Sequence, residues 1–98
     1  MELDFTFRNV ESTEAIKEWA SRRFIKVAKH VREPAFAHLV LIVDKHRHRA
    51  ECTLRTGGEL LRASSETGDM YASIDGVAAT IEHSARRQHE RRTSNHEL

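Results

Sequence analysis

The stretch EHSARRQHERR, residues 82–92, places four arginines in seven positions: Arg86, Arg87, Arg91 and Arg92. Guanidinium groups at that density bind anions. Each is permanently charged and offers a planar fork of donors that fits a phosphate or a carboxylate. A second basic stretch, RRFIKVAKH at 22–30, puts Arg22, Lys26 and Lys29 on one helical stripe, with Arg23 and His30 beside it. Yet the 98-residue chain has a formal net charge of only +1. The positive field is therefore local, with compensating acids elsewhere. Nucleic acid is the polyanion such a field fits best, because phosphate contacts dominate that affinity. Basic C-terminal turns also complement helix dipoles, so a plainly solvated surface remains a competing account of the same residues.

Other chemistry is thinner. His46 and His48 are two apart and share a face if the segment is extended, which is a spacing metals use. No third ligand lies at short range and arginines flank both, so no metal is expected. The segment DKHRHR reads instead as a polar hairpin tip at which Lys45 touches phosphate. Cys52 is the only cysteine and cannot form an internal disulfide. Its strand-like surroundings make it a small buried residue. In DMYASID, Asp69 reads as a helix cap. There is no glycine-rich phosphate loop, nucleophile elbow or paired-acid motif. Neither an enzyme nor a cofactor is expected.

The elements that position these residues follow from hydrophobic period. ELDFTFR alternates, with Leu3, Phe5 and Phe7 on one face of a half-buried strand. Ser12 or Thr13 caps a helix whose apolar face is Ile16, Ala20, Phe24, Val27 and Val31, joined by Trp19, and Pro34 ends it. AHLVLIV at 37–43 is a covered central strand. AECTLRT turns Ala50, Cys52 and Leu54 inward. Gly57–Gly58 makes a tight turn into a fourth strand, ELLRASSE. A second helix starts after Asp69 and buries Met70, Ile74, Val77 and Ile81. Continuing that stripe reaches Gln88 and Arg92, so the last two turns run past the core. Within them, Glu82 and Glu90 stand at pairing distance from Arg86, as Glu18 does from Arg22. His83, Arg87 and Arg91 line up one above another.

The order β-α-β-β-β-α calls for an α+β fold. Both helices cover one face of a four-stranded sheet, and the strand–helix–strand opening is a right-handed crossover. If the helices run in the same direction, their basic ends merge. At 98 residues one domain is expected, residues 1–92, with a flexible tail at 93–98. No apolar run reaches the roughly 20 residues of a membrane helix, and the acidic start is unlike a signal peptide. The expected location is cytoplasmic.

NVESTEAIKEW, GGEL and above all ETGDMYASID, with the basic tail, closely resemble the ribosome hibernation promoting factor family, once called sigma-54 modulation proteins. The resemblance covers nearly the whole chain. It implies a fold similar to double-stranded RNA-binding domains. It also implies binding in the messenger and transfer RNA channel of the small ribosomal subunit, which silences the ribosome in stationary phase or stress. The family's basic positions map onto Arg23, Lys26, Arg87 and Arg91. Thr80 stands where members often carry a basic residue, and Ala85 and Arg92 stand where leucines are typical. The length matches the short form, without the long form's dimerisation domain, so a monomer is expected free in solution. The rival expectation is a general module for structured RNA.

Overall fold

The computed structural model describes the backbone of residues 1–97 and the side chains of residues 1–91. Its elements are β1 (Glu2–Arg8), α1 (Glu14–Ala28), β2 (Ala35–Asp44), β3 (Arg47–Thr56), β4 (Glu59–Thr67) and α2 (Met70–Glu97). The sheet order is β1-β2-β3-β4. β1 pairs parallel with β2, and the other two pairs are antiparallel. The α+β arrangement expected from the hydrophobic period is the one observed.

The core lies between the sheet and the helices. Leu39, Leu41, Ala50, Cys52 and Leu54 from the central strands meet Ile16, Ala20, Phe24 and Val27 of α1 and Met70, Ile74, Val77 and Ile81 of α2. Strand residues alternate because successive side chains point to opposite faces, so the even positions of β3 and the odd positions of β2 are buried together. Leu3, Phe5 and Phe7 pack at the edge of this core. β4 parallels β1 and β2, so the helices that follow β1 and β4 both return antiparallel to those strands and run side by side in one direction.

Three boundaries differ from those the residue pattern predicts. α1 ends at Ala28, before Pro34 can act. Lys29 and His30 donate to Lys26 and Val27 carbonyls, tightening the last turn. Val31 therefore packs on the core from the connection rather than from the helix. β2 and β3 are each longer than their apolar stretches. The ladder continues to the Asp44–Arg47 pair, and only Lys45 and His46 are left to turn the chain. Lys45 takes a left-handed φ of 59°, a conformation uncommon outside glycine. At Asp44 and at Arg47, His48 and Arg49 the ladder extends the strands through polar residues that the apolar pattern does not register, and at the start of β2 the apolar Ala35 and Phe36 join it directly after Pro34.

Thr13 caps α1, accepting from the Ile16 amide at 3.2 Å, and Asp69 caps α2, accepting from the Ala72 amide at 3.2 Å. Ser73, fully buried, donates to the His48 carbonyl at 2.6 Å and fixes the start of α2 to the β3 ladder. Among the described residues no helix is long and apolar enough to cross a membrane.

α2 packs so closely on β4 that a Cβ on Gly76 would run into the Ser65 hydroxyl and lie 3.1 Å from Ser65 Cβ, so the serine would have to shift. Gly76→Ala gains about 1 kcal/mol of helix propensity. Overpacking costs about 1–3 kcal/mol. The expected result is a net loss in thermal or urea unfolding. In a Ser65→Gly background the same change stabilises by about 1 kcal/mol, and a double-mutant cycle reads the difference.

Burial pushes the Cys52 thiol from 9.0 up to about 12. The native thiol is then almost wholly protonated at neutral pH and should resist Ellman's reagent, whereas unfolded protein reacts at once. The sign of the linkage is fixed. Above pH 9.0 the unfolded thiol loses its proton while the folded one keeps it, so stability declines as the pH rises toward 12. Native-state labelling as fast as that of unfolded protein would show that Cys52 is not held in the core.

Candidate nucleic-acid interface

Beside the shared core, one polar and aromatic cluster links the two helices. The Trp19 indole Nε1–H and the Arg23 Nε–H both donate to Asp75 Oδ1, at 2.8 and 2.6 Å. The Arg23 guanidinium lies over the Trp19 ring, 4.2 Å from its centroid, and Tyr71 meets that ring edge-on at 5.3 Å. A cation over an indole and a shared carboxylate acceptor hold Arg23 from two directions. The bond to Asp75 uses Nε, leaving the two terminal amino groups as donors. Arg23 is thus a fixed fork rather than a free tether. By residue pattern alone Arg23 is one more basic residue and Asp75 only a carboxylate of the α2 stretch. The available signal is Trp19, a tryptophan at the margin of an apolar face, with a second acid in DMYASID that capping does not use.

The pairs Trp19–Tyr71 and Arg23–Asp75 share an offset of 52 positions. At that offset Lys26 is level with Ala78 and Lys29 with Ile81. Arg87 and Arg91 come six and ten residues later, roughly 9 and 15 Å further along the axis at the rise of an α-helix. The basic ends therefore do not merge side by side. They form a staggered series: Arg22, Lys26 and Lys29, all exposed on α1, then the arginines of α2 beyond the end of α1.

The α2 arginines also divide by flank. Eleven residues are nearly three turns, so Arg86 repeats the direction of Asp75, toward α1. Arg87 repeats the direction of Gly76, toward β4, and Arg91 and His83 lie near that side. The buried stripe ends at Ala85, and half-buried Gln88 donates to Glu59 Oε2 at 2.8 Å beside the Gly57–Gly58 turn. Past that point the helix has left the sheet, consistent with a longest molecular dimension of 51 Å. The overhang expected from the polar residues on the core line is present, and its cations point in more than one direction. Arg92 lies outside the residues whose side chains are described.

The acids expected to neutralise Arg86 do not do so. Among the described residues Arg22, Arg86, Arg87 and Arg91 form no ion pair. Arg22 instead stands 5.8 Å from the Trp19 ring centroid. Exposed i,i+4 pairs are worth only a few tenths of a kcal/mol, so helical spacing alone does not impose them. Lys45 is not brought to this group. Its hairpin stands at the opposite end of the sheet, near the start of α2, where Ser73 bonds the His48 carbonyl. His46 sits in that turn, while His48 is on the core-facing register of β3, so the two do not share a strand face. Among the described residues no three His, Cys, Asp or Glu side chains form a metal-binding group.

The family profile described as Sigma 54 modulation protein / S30EA ribosomal protein matches residues 3–93. The chain belongs to this family. The ribosome hibernation promoting factor of Escherichia coli (strain K12) is 39% identical over 77 residues, 79% of this chain and 81% of that protein. The Pseudomonas putida factor of the same name is 24% identical over 94 residues, covering 96% and 92%. The N-terminal domain of Thermus thermophilus Protein Y superposes with a TM-score of 0.84 at 27% identity, over 89% of this chain and 98% of that one. A ribosomal subunit interface protein from Coxiella burnetii shares the fold, with a TM-score of 0.80 at 16% identity and coverage of 90% and 97%. Ala85 closes the core stripe, and the Thr80 hydroxyl donates to the Gly76 carbonyl at 3.1 Å.

Proposed function

We propose that this family member is a non-catalytic, cytoplasmic factor that binds the small ribosomal subunit in the messenger and transfer RNA channel. There it inhibits translation by occupancy in stationary phase or stress. The observation that carries the reading is the α2 overhang. Its Arg86, Arg87 and Arg91 have no carboxylate partner among the described residues and point to different sides. A rod that is basic on several sides suits a cleft walled by phosphate better than a flat surface does. Arg22, Arg23, Lys26 and Lys29 extend the track along α1, and each cation that meets a phosphate releases condensed counterions. Lys45 then makes a separate contact at the far end of the sheet. Residues 1–92 form the ribosome-binding unit, which acts as a monomer free in solution.

Family membership and the relatives named for ribosome hibernation support this reading. The test is co-sedimentation with purified small subunits over a salt series, beside binding to an isolated RNA duplex and an in vitro translation assay. Saturable binding to subunits, far tighter than to the duplex and matched by loss of translation, is expected. Equal affinity for duplex and subunit would reduce the protein to a general module for structured RNA.

A further inference from the structure

The face of the sheet turned away from the helices carries charges that ribosome binding through the helices does not use. Strand register lays Glu2, Phe36 and Arg55 in one row across β1, β2 and β3. Asp4, His38 and Arg62 lie in the next row, two residues along, on β1, β2 and β4. All six line one concave cavity of about 790 Å³, within the size range of small-molecule sites. Its charge is segregated. Carboxylates stand on the β1 side, arginines on the β3 and β4 side, and the Phe36 ring, 48% exposed, lies between them.

The charges in this cavity differ from their neighbours on the same face. Arg49 pairs with Glu51 at 2.9 Å and Arg47 with Glu66 at 3.6 Å. Arg55, Arg62 and Glu2 form no ion pair among the described residues. His38 joins Asp4 Oδ2 at 3.1 Å and Thr6 Oγ1 at 2.9 Å, which holds the Asp4 carboxylate in one orientation. An exposed aromatic flanked by unpaired arginines and an oriented carboxylate is an arrangement for a planar, polar ligand with an anionic end.

We propose that this cavity binds a guanosine 5′-phosphate unit, with the base stacked on Phe36 and the phosphate between Arg55 and Arg62. Guanine presents two adjacent donors, N1–H and the 2-amino group, to the carboxylates of Asp4 and Glu2. Adenine presents an acceptor at N1, which a carboxylate repels. β1 and β4 are three strand spacings apart, about 14 Å, and long arginine side chains shorten that span to nucleotide length. Stacking on an aromatic ring tolerates any base, so the carboxylates supply the selectivity. The site lies on the sheet face opposite the helices and does not depend on ribosome binding.

Calorimetric titration of the full chain with GMP and AMP, and with the single-stranded pentanucleotides UUGUU and UUAUU, tests this. GMP should saturate at one site, with AMP at least about tenfold weaker, as expected where a mismatched partner leaves polar groups unpaired. Arg55→Ala and Arg62→Ala should each weaken GMP by about tenfold or more at an unchanged melting temperature, since neither touches the core. Arg87→Ala with Arg91→Ala should leave GMP binding intact. Tighter binding of UUGUU than of GMP would name an RNA strand as the source of the guanosine. Equal or weaker binding would name the free nucleotide. Equal affinity for AMP and GMP, or no saturation by either GMP or UUGUU at millimolar concentration, overturns the proposal. Concentration-dependent self-association abolished by Arg62→Ala, without nucleotide binding, would assign the face to a second copy of the chain and overturn it equally.

Discussion

Replacing Arg87 and Arg91 with Ala is expected to weaken binding to small ribosomal subunits by on the order of a hundredfold while leaving the melting temperature nearly unchanged. Charge-assisted hydrogen bonds contribute about 1.5–3 kcal/mol each. Losing two therefore removes at least about 3 kcal/mol, or two decades in affinity. Both side chains are exposed and the buried stripe has already ended at Ala85, so no packed volume is lost. Exposed substitutions of this kind stay within about 0.5 kcal/mol of the parent in stability. The log–log salt slope should fall by roughly two units, one for each phosphate that an arginine no longer neutralises. Translation inhibition should fall in parallel with binding. A double variant that melts normally and keeps the parent affinity and salt slope would reduce the overhang to a solvated helix end. Phosphate binding would then have to rest on α1 and on the Lys45 hairpin.

Asp75→Ala should weaken ribosome binding even though it makes the protein more positive. The direction of this effect separates two accounts. If the interface works only through net positive field, removing an acid beside Arg23 strengthens binding. If Arg23 must be held as an oriented fork, removing its acceptor releases the side chain, and ordering it again on the RNA costs affinity. The shared acceptor at 2.6 and 2.8 Å and the ring stacking at 4.2 Å favour the second account, with an expected loss of several-fold to about tenfold. Stability should fall by about 1–2 kcal/mol, most of it from the hydrogen bond to the half-buried Trp19 indole. Arg23 and Asp75 are 41% and 43% exposed, so their ion pair is worth under about 1 kcal/mol. Asp75→Asn keeps one acceptor oxygen and should recover most of the stability and part of the affinity. Tighter binding by Asp75→Ala at every salt concentration would exclude the positioning role.

The order of elements, the core faces and the polar overhang of α2 were legible from residue pattern. Period two in ELDFTFR and AECTLRT, and the 3.6 period of both helices, are imposed by the same burial that the fold satisfies. Met70, Ile74, Val77 and Ile81 had to face inward together whatever they packed against. The cationic residues were equally plain, because arginine and lysine announce their charge without reference to neighbours. What the chain pattern left open is how separate elements stand relative to one another. The stagger of the helices shows in Trp19 and Arg23 meeting Tyr71 and Asp75, residues 52 apart whose pairing no local period encodes. The same stagger turns an expected single patch into a staggered track, and the register of β4 against α2 sets Gly76 against the Ser65 side chain. The hairpin that carries Lys45 to the far end of the sheet, and the cross-strand rows that gather Asp4, Phe36, Arg55 and Arg62, likewise exist only once four strands are paired. One sequence can state which residues are charged and which face inward. Which charges stand next to which acceptors is decided by packing between elements, where distance along the chain carries no information about distance in space.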